Sequence, residues 1–182
     1  LRAECYLKLN RLNPAQQDYL QALHHDPCHL KTMIGLAALY KNTDRLEEAL
    51  ALYRRASALH PDRCDLKLKL ADVLMVMQET RQAMALYRSL VTDPGVGSAA
   101  RYNLALANLL LGRYAEGWPD YELRWQIAGK RPPELPCPRW QGEGRPGARV
   151  GLLCEQGFGS TLQMLRFIKM VKARVGKVWV SS

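Results

Sequence analysis

The sequence has no long apolar run and no paired cysteines, and both absences narrow the class of protein. No apolar stretch of the 182 residues approaches the ~20 residues that span a bilayer, and the first residues do not resemble a signal peptide. The five cysteines are odd in number, and the nearest two lie 17 positions apart, which predicts neither a disulfide framework nor a zinc site. We therefore expect a cytoplasmic protein with reduced thiols, no metal and no membrane partner.

Dense clusters of basic residues are also missing, although the formal net charge is +9. Scattered Lys and Arg argue against a nucleic-acid-binding protein. Residues 1–125 carry 16 Lys or Arg and 14 Asp or Glu, whereas residues 126–182 carry 10 and 3. The basic excess therefore belongs to the C-terminal third, where it indicates either an anionic ligand or, more commonly, a solvated basic face.

What the sequence does contain is a repeat of 34 residues. One copy is marked by Tyr40, Ala49, Tyr53, Ala56 and Pro61, and the preceding copy by Tyr6, Ala15, Tyr19, Ala22 and Pro27. Later copies keep part of this set, as Ala83, Tyr87, Leu90, Tyr102, Ala105, Gly112, Gly117 and Tyr121. A fixed period of this length predicts a repeat architecture.

Each copy of the repeat predicts two helices joined by a turn. In residues 30–63 one apolar stripe follows the spacing i, i+3, i+4, i+7 from Met33 to Tyr40, and a second runs from Ala49 to Ala56 after the polar turn 42–44. One helical hairpin cannot bury its own apolar face, so successive hairpins must stack. The sequence thus predicts a mainly α-helical solenoid.

The repeat resembles the tetratricopeptide repeat (TPR) family over residues 1–125, as one partial and three full repeats. The resemblance implies a protein–protein interaction scaffold whose first helices line a groove that binds a protein or peptide. The predicted groove residues are Lys8, Lys31, Ile34, Lys41, Asn42, Asp65, Leu68, Asp72 and Tyr102. This set lacks the run of Lys and Asn that grips a C-terminal carboxylate, so the groove is taken either by another kind of peptide or by the protein's own next segment.

The C-terminal part predicts a different architecture. Residues 126–147 are rich in proline and glycine and predict a linker. Residues 148–154 then predict a buried strand, residues 160–175 a helix and residues 177–180 a second strand, which makes 148–182 a short, incomplete Rossmann-like α/β unit. The turn between the first strand and the helix is a candidate anion site or an ordinary structural turn, with the residues Gln156, Gly157, Gly159, Ser160 and Thr161.

Three motifs in order carry a second resemblance, namely GRYAEGWPDYELRW (112–125), PRWQGE (138–143) and LLCEQGFGSTLQMLRF (152–167). They resemble a bacterial family of TPR-linked glycosyltransferases of the two-Rossmann type, similar to heptosyltransferases and O-GlcNAc transferases. The resemblance implies an N-terminal, acceptor-side fragment of such an enzyme, and the first residue, Leu1 in place of methionine, also leads us to expect a piece of a longer protein.

Catalysis by this chain alone is not expected. In the family that these motifs resemble, an acidic residue follows the glycine turn, but Ser160 stands there. A neutral hydroxyl cannot replace a carboxylate as a base near pH 7. We therefore predict no catalytic residue and no cofactor in residues 1–182, although a longer parent could be a glycosyltransferase.

The final strand predicts self-association. Residues 177–180 are apolar, and the open edge of a two-stranded sheet recruits partners. Residues 148–182 would either fold back on the last helices of the solenoid or pair with the same unit of a second chain. We expect a homo-oligomer, because symmetric pairing satisfies the strand edge and the helix face together.

Overall fold

The computed structural model describes residues 2–129, 131, 134, 137–154 and 158–181, with the backbone alone for residues 158 and 160. The chain divides into two compact units, Leu1–Arg131 and Pro132–Ser182. Each unit is described by itself below.

The first unit is a row of helical hairpins, which confirms the predicted solenoid. Its helices are α1 (Arg2–Lys8), α2 (Leu12–His25), α3 (Leu30–Asn42), α4 (Leu46–Leu59), α5 (Cys64–Val76), α6 (Thr80–Leu90), α7 (Gly97–Leu110), α8 (Tyr114–Tyr121) and α9 (Arg124–Ile127). Helices α1/α2, α3/α4, α5/α6 and α7/α8 pair as hairpins, and the second helix of each of the first three hairpins packs on the first helix of the next. The last hairpin is the least regular, because α8 has only 8 residues and contains Pro119.

The turn inside every hairpin has the same backbone geometry. In each of these turns one residue has a left-handed φ, namely Asn10 (55°), Asp44 (60°), Gln78 (63°) and Gly112 (74°), each 34 positions after the one before. The following N–H donates to the carbonyl five residues back, at 2.8 Å for Arg11–Tyr6, 2.9 Å for Arg45–Tyr40, 2.9 Å for Glu79–Leu74 and 2.8 Å for Arg113–Asn108. This is a Schellman C-cap, which ends the first helix and satisfies its last carbonyl groups.

Small residues set the distance between the two helices of a hairpin. The first helices contribute a buried alanine at positions 3, 37, 71 and 105, and the second helices contribute Ala15, Ala49, Ala83 and the buried Gly117. Tyrosines one turn further along the second helices, Tyr19, Tyr53 and Tyr87, are at most 4% exposed. Alanine allows close helix packing and the tyrosine rings fill the remaining space, so the interior repeats with the same 34-residue period as the sequence.

The second unit is a strand–helix–strand unit, as predicted. It contains β1 (Arg145–Leu153), α10 (Phe158–Leu165), α11 (Ile168–Arg174) and β2 (Val175–Ser181). The strands are parallel, with Val150 in register with Val178 and Leu152 with Val180. A small two-stranded parallel sheet therefore follows the helical part of the chain.

The element boundaries in this unit differ from the predicted ones. Strand β1 begins at Arg145 and not at 148, and β2 begins at Val175, so Gly176 lies within the strand and does not end the helix. The predicted helix 160–175 is divided in two, because the N–H of Phe167 donates to the carbonyl of Met164 at 3.0 Å, an i→i−3 bond that tightens the chain between α10 and α11.

No helix among the described residues is long and apolar enough to cross a membrane.

Candidate functional site

All nine residues predicted for the groove lie on the first helices of the hairpins. Lys8 ends α1, and Tyr102 lies in the middle of α7. The others lie on α3 (Lys31, Ile34, Lys41 and Asn42) and on α5 (Asp65, Leu68 and Asp72). We call the side of α1, α3, α5 and α7 on which they lie the first-helix face; Ile34 and Leu68 on it are half-buried and pack against the core. That this face binds a ligand stays a prediction.

Two ion pairs involve residues of the first-helix face. Lys31 Nζ lies 3.1 Å from Glu4 Oε1, which joins α3 to α1. Arg63 binds Asp65 with two hydrogen bonds of 2.8 Å, and this contact lowers the pKa of the Asp65 carboxyl group. Both pairs are largely exposed to solvent, so they contribute little to stability. Their charges remain accessible to a partner.

A partly buried hydrogen-bond cluster centred on Asp72 connects three helices. Asp72 Oδ1 on α5 accepts from the hydroxyl group of Tyr87 on α6 and from Nδ2 of Asn103 on α7, both at 2.8 Å. Tyr87 is 2% exposed; its burial raises the pKa of its hydroxyl group, and the Asp72 charge raises it further. The cluster fixes the position of the half-buried Asp72 carboxylate on the first-helix face.

The chemistry of the first-helix face changes along the solenoid, in contrast to the repeated interior. One position of the repeat holds Lys8, Asn42, Val76 and Leu110, and another holds Glu4, Ala38, Asp72 and Leu106. The first series ends in Val76 and Leu110, and the second ends in Leu106. These three residues are apolar yet accessible, with Val76 54%, Leu106 38% and Leu110 74% exposed. The face is thus charged at α1 and apolar at α7.

Aromatic side chains form a cluster around Tyr121 in the last hairpin, and Tyr102 is part of it. The Tyr102 and Tyr121 rings are 6.0 Å apart, and Trp118 meets Tyr121 edge to face at 5.5 Å. The Arg124 guanidinium group lies 4.7 Å from the centre of the Tyr121 ring and 4.8 Å from that of Trp125. Trp118 is 54% exposed, so this aromatic cluster is also open to contact.

The candidate anion turn is described only in part. Gln156 and Gly157 lie outside the described residues, as does the side chain of Ser160. Helix α10 begins at Phe158, two residues earlier than predicted, so Gly159, residue 160 and Thr161 lie within its first turn and not at its cap.

No metal site is present among residues 2–129, 131, 134, 137–154 and 158–181, where no three His, Cys, Asp or Glu side chains come together. All five cysteines are free thiols.

Two members of the Asp72 cluster were not among the predicted site residues, namely Asn103 and Tyr87. The sequence does indicate Tyr87, because its place in the repeat predicts that it is buried, and a buried tyrosine hydroxyl group requires a hydrogen-bond partner. Tyr87 occupies the same position of the repeat as Tyr53, one turn after a buried alanine.

Comparison with protein families supports the repeat assignment. Residues 44–93 match the sequence model of the tetratricopeptide repeat family. Over 89 residues the chain is 38% identical to human Protein O-mannosyl-transferase TMTC1, a match that covers 48% of this chain and 10% of that protein. Over 132 residues it is 28% identical to Protein FlbA of Caulobacter vibrioides, covering 71% of this chain and 22% of the relative. The chain therefore spans a tenth to about a fifth of these relatives.

Solved structures share the fold. MamA superposes with a TM-score of 0.59 at 17% identity, covering 70% of this chain and 74% of its own. A tetratricopeptide repeat protein from Parabacteroides merdae superposes with a TM-score of 0.60 at 19% identity, covering 71% and 52%. These structures show the fold, a solenoid of stacked helical hairpins, and residues 44–93 within it match the tetratricopeptide repeat model.

Proposed function

We propose that the chain is a protein-interaction scaffold that binds an extended segment of a partner along its first-helix face. The observation that carries the proposal is the contrast between interior and surface. The buried positions of the four hairpins repeat, whereas the exposed positions of α1, α3, α5 and α7 differ from one hairpin to the next. A surface of this kind offers a different contact at each repeat.

The order of polar and apolar residues along the face predicts the orientation in which a partner segment binds. Glu4, Lys8 and Lys31 lie at the start of the face, and Val76, Leu106 and Leu110 lie at its end. A bound segment would place polar or charged residues near α1 and α3 and apolar residues near the end of α5 and along α7, because exposed apolar side chains gain most from burial in a contact.

Peptide selection tests this proposal. A phage-displayed library of linear peptides would be selected on the immobilised chain, and the recovered peptides would be measured by fluorescence anisotropy. Leu106→Asp changes the first-helix face, and Leu20→Asp is the matched control, because Leu20 lies on the second helix α2 and is 45% exposed. We expect Leu106→Asp to weaken binding at least about tenfold and Leu20→Asp to leave it unchanged. Equal effects of the two substitutions would contradict the proposal.

A second candidate function rests on two relatives. The human proteins matched over 89 and 121 residues are both named protein O-mannosyl-transferases. With the strand–helix–strand unit that follows the solenoid, they support the proposal that the chain belongs to a larger glycosyltransferase, in which the solenoid presents the acceptor. Sequencing of the coding region downstream of codon 182 tests it: alternating strand and helix patterns over about 150 further residues would be expected, as one α/β domain requires.

We also propose that the second unit forms a homo-oligomer through the open edge of its sheet. Among the described residues each strand of this sheet pairs on one side only, and its other edge could pair with a further strand. Light scattering should show a dimer that becomes a monomer when residues 148–182 are deleted. A strictly monomeric full-length chain at high concentration would reject the pairing.

A further inference from the structure

The two carboxylate oxygens of Asp72, on the first-helix face, have different surroundings. Oδ1 accepts two hydrogen bonds of 2.8 Å, one from Tyr87 and one from Asn103, whereas Oδ2 accepts none from the residues that the structure describes. The buried polar side-chain atoms without a partner in this part of the chain are Asn108 Oδ1 and Trp125 Nε1, so Oδ2, which also has no partner, is reached by solvent. One oxygen is therefore fixed by the fold, and the other is open to a ligand.

The negative charge of Asp72 is not neutralised within the solenoid. Both of its hydrogen-bond donors are neutral groups, and it forms no ion pair with any Lys or Arg in the described ranges. Lys69 lies one turn earlier on α5, but it acts on another carboxylate: Arg63 chiefly lowers the pKa of Asp65, and the Lys69 charge adds to that effect. A half-buried carboxylate without a cation is stabilised when a ligand supplies one.

Asp72 lies in the middle of the row of hairpins, and helices on both sides surround it. Tyr87 on α6 and Asn103 on α7 hold it on one side. On the other side lies Tyr53 of α4, where burial raises the pKa of the hydroxyl group and the Asp72 charge raises it further. Each repeat of a solenoid contacts only its neighbours, so additional hairpins at either end would leave this site open.

Accessible apolar side chains stand near Asp72 on the first-helix face. Val76 follows it by one turn on α5, and Leu106 holds on α7 the position of the repeat that Asp72 holds on α5. A lysine side chain suits such a place, because its methylene stem covers apolar surface while its ammonium group reaches an oxygen atom.

We propose that Asp72 binds a lysine side chain of the partner segment that occupies the first-helix face, and that this contact fixes the register of the segment. The inference rests on the function proposed for that face. Each carboxylate oxygen has about two acceptor positions, and Oδ1 has used both. Arginine binds best to both oxygens at once, whereas the compact ammonium group of lysine can bind Oδ2 alone. The site therefore selects lysine over arginine.

Parallel selections test this inference with the full chain. The phage-displayed library of linear peptides would be selected on the wild-type chain, on Asp72→Asn and on Asp65→Asn. Asparagine at position 72 keeps an oxygen that can accept from Tyr87 and Asn103 but removes the charge. Asp65→Asn is the matched control, because Asp65 lies on the same helix and face while both of its oxygens bind Arg63.

We expect lysine to be enriched at one position of the peptides selected on the wild-type chain and on Asp65→Asn, and not on Asp72→Asn. One lysine peptide, labelled with fluorescein, would then be compared by anisotropy with its norleucine and arginine versions. On the wild-type chain norleucine should weaken binding at least about tenfold, as loss of a hydrogen bond to a charged group does, and arginine should weaken it about threefold. On Asp72→Asn the three peptides should differ less than about threefold.

Zero-length cross-linking identifies the source of the lysine. A carbodiimide joins a carboxylate to an amine that touches it, and mass spectrometry of the complex should find Asp72 joined to the peptide lysine. A link from Asp72 to a lysine of the chain itself, formed in place of the peptide link at saturating peptide, would overturn the assignment to a partner.

The comparison of lysine with norleucine on the wild-type chain depends on no variant folding. Equal affinities of these two peptides, or selected peptides without lysine enrichment, would mean that Asp72 only joins α5 to α6 and α7. If Leu106→Asp still weakened the binding of those peptides, the function proposed for the face would stand and lysine recognition alone would fail. A selection that recovers no peptide would refute both.

Discussion

Gly117 is the position where the packing of the hairpins makes the sharpest prediction. It is the fourth member of the series Ala15, Ala49, Ala83 and Gly117, and it is the one glycine in that series. A Cβ at Gly117 would lie 2.6 Å from Leu109 Cγ, 2.7 Å from Leu109 Cδ2 and 2.9 Å from the carbonyl oxygen of Ala105. Ordinary contacts between heavy atoms begin near about 3.5 Å, so the last hairpin is too tight for the alanine that the other three accept.

Two opposing effects decide the outcome of Gly117→Ala. Alanine is favoured over glycine within a helix by about 1 kcal/mol. Overpacking of a closed contact costs about 1–3 kcal/mol. The contact includes a main-chain oxygen and the branch carbon of Leu109, which do not swing aside as the end of a flexible side chain would. We therefore expect Gly117→Ala to lower the free energy of unfolding by about 1 kcal/mol, with a fall in Tm of about 4 °C for a unit of this size.

Urea unfolding followed by circular dichroism at 222 nm measures this effect, with an unchanged m-value as the check that the native state is intact. Gly159→Ala is the control, since Gly159 lies in α10 and has no atom within 4 Å of a Cβ position. It should not destabilise its unit. The double variant Gly117→Ala with Leu109→Ala should show a coupling energy of at least about 0.5 kcal/mol, because Leu109→Ala removes two of the three close atoms. A stable Gly117→Ala variant without coupling would refute the close approach of α7 and α8.

Four further predictions follow from single positions. Ala49 is 0% exposed, so Ala49→Leu should overpack its hairpin and lower stability by about 1–3 kcal/mol in urea unfolding; an unchanged midpoint would contradict the register of that repeat. Gln78 has a φ of 63°, so Gln78→Gly should raise the Tm slightly, since relief of about 1–2 kcal/mol of left-handed strain exceeds the added unfolded-state entropy. Burial, with a smaller contribution from Asp72, raises the pKa of Tyr53 to about 12, so the folded state holds this proton more tightly and its contribution to stability, complete below about pH 10, is lost as the pH rises toward 12. Part of the phenolate absorbance of the eight tyrosines should therefore appear only with unfolding, and ionisation of all eight before unfolding would disprove the burial. Calorimetry of residues 1–182 with UDP-, GDP- and ADP-sugars should show no binding, and micromolar affinity for any of them would show that the chain holds a donor site.

The sequence predicted the helical unit because its packing is local and periodic. A buried residue such as Ala49 is fixed by the helix that faces it within its own hairpin, and the next hairpin repeats the constraint 34 residues later. Even the turn residues carry the period, since Asn10, Asp44 and Gly112 are residue types that tolerate or favour a positive φ. Gln78 is the exception, which is why the turn between α5 and α6 is less evident in the sequence.

Features that depend on side-chain direction or on distant contacts were not predicted. Asn103 and Asp72 lie 31 positions apart and meet only because α5 and α7 are neighbours in the stack. The division between α10 and α11 depends on one i→i−3 hydrogen bond, which apolar spacing does not reveal, because Leu165 and Ile168 fit one continuous helix equally well. The start of β1 at Arg145 was not predicted, because proline and glycine follow Arg145 and both are uncommon within strands.

The two sides of the first helices are under different constraints, and this difference bears on function. The alanines at positions 37, 71 and 105 cannot vary without moving a neighbouring helix. Nothing in the packing fixes the position that holds Lys8, Asn42, Val76 and Leu110, because it faces solvent. Folding gains nothing from a leucine that stays 74% exposed, yet Leu110 lies one helical turn after another accessible leucine, Leu106, on the same side of α7. A contiguous apolar surface that the fold does not require is best explained by contact with a partner. We therefore expect substitutions of these residues to change binding while leaving the unfolding transition of the solenoid unchanged.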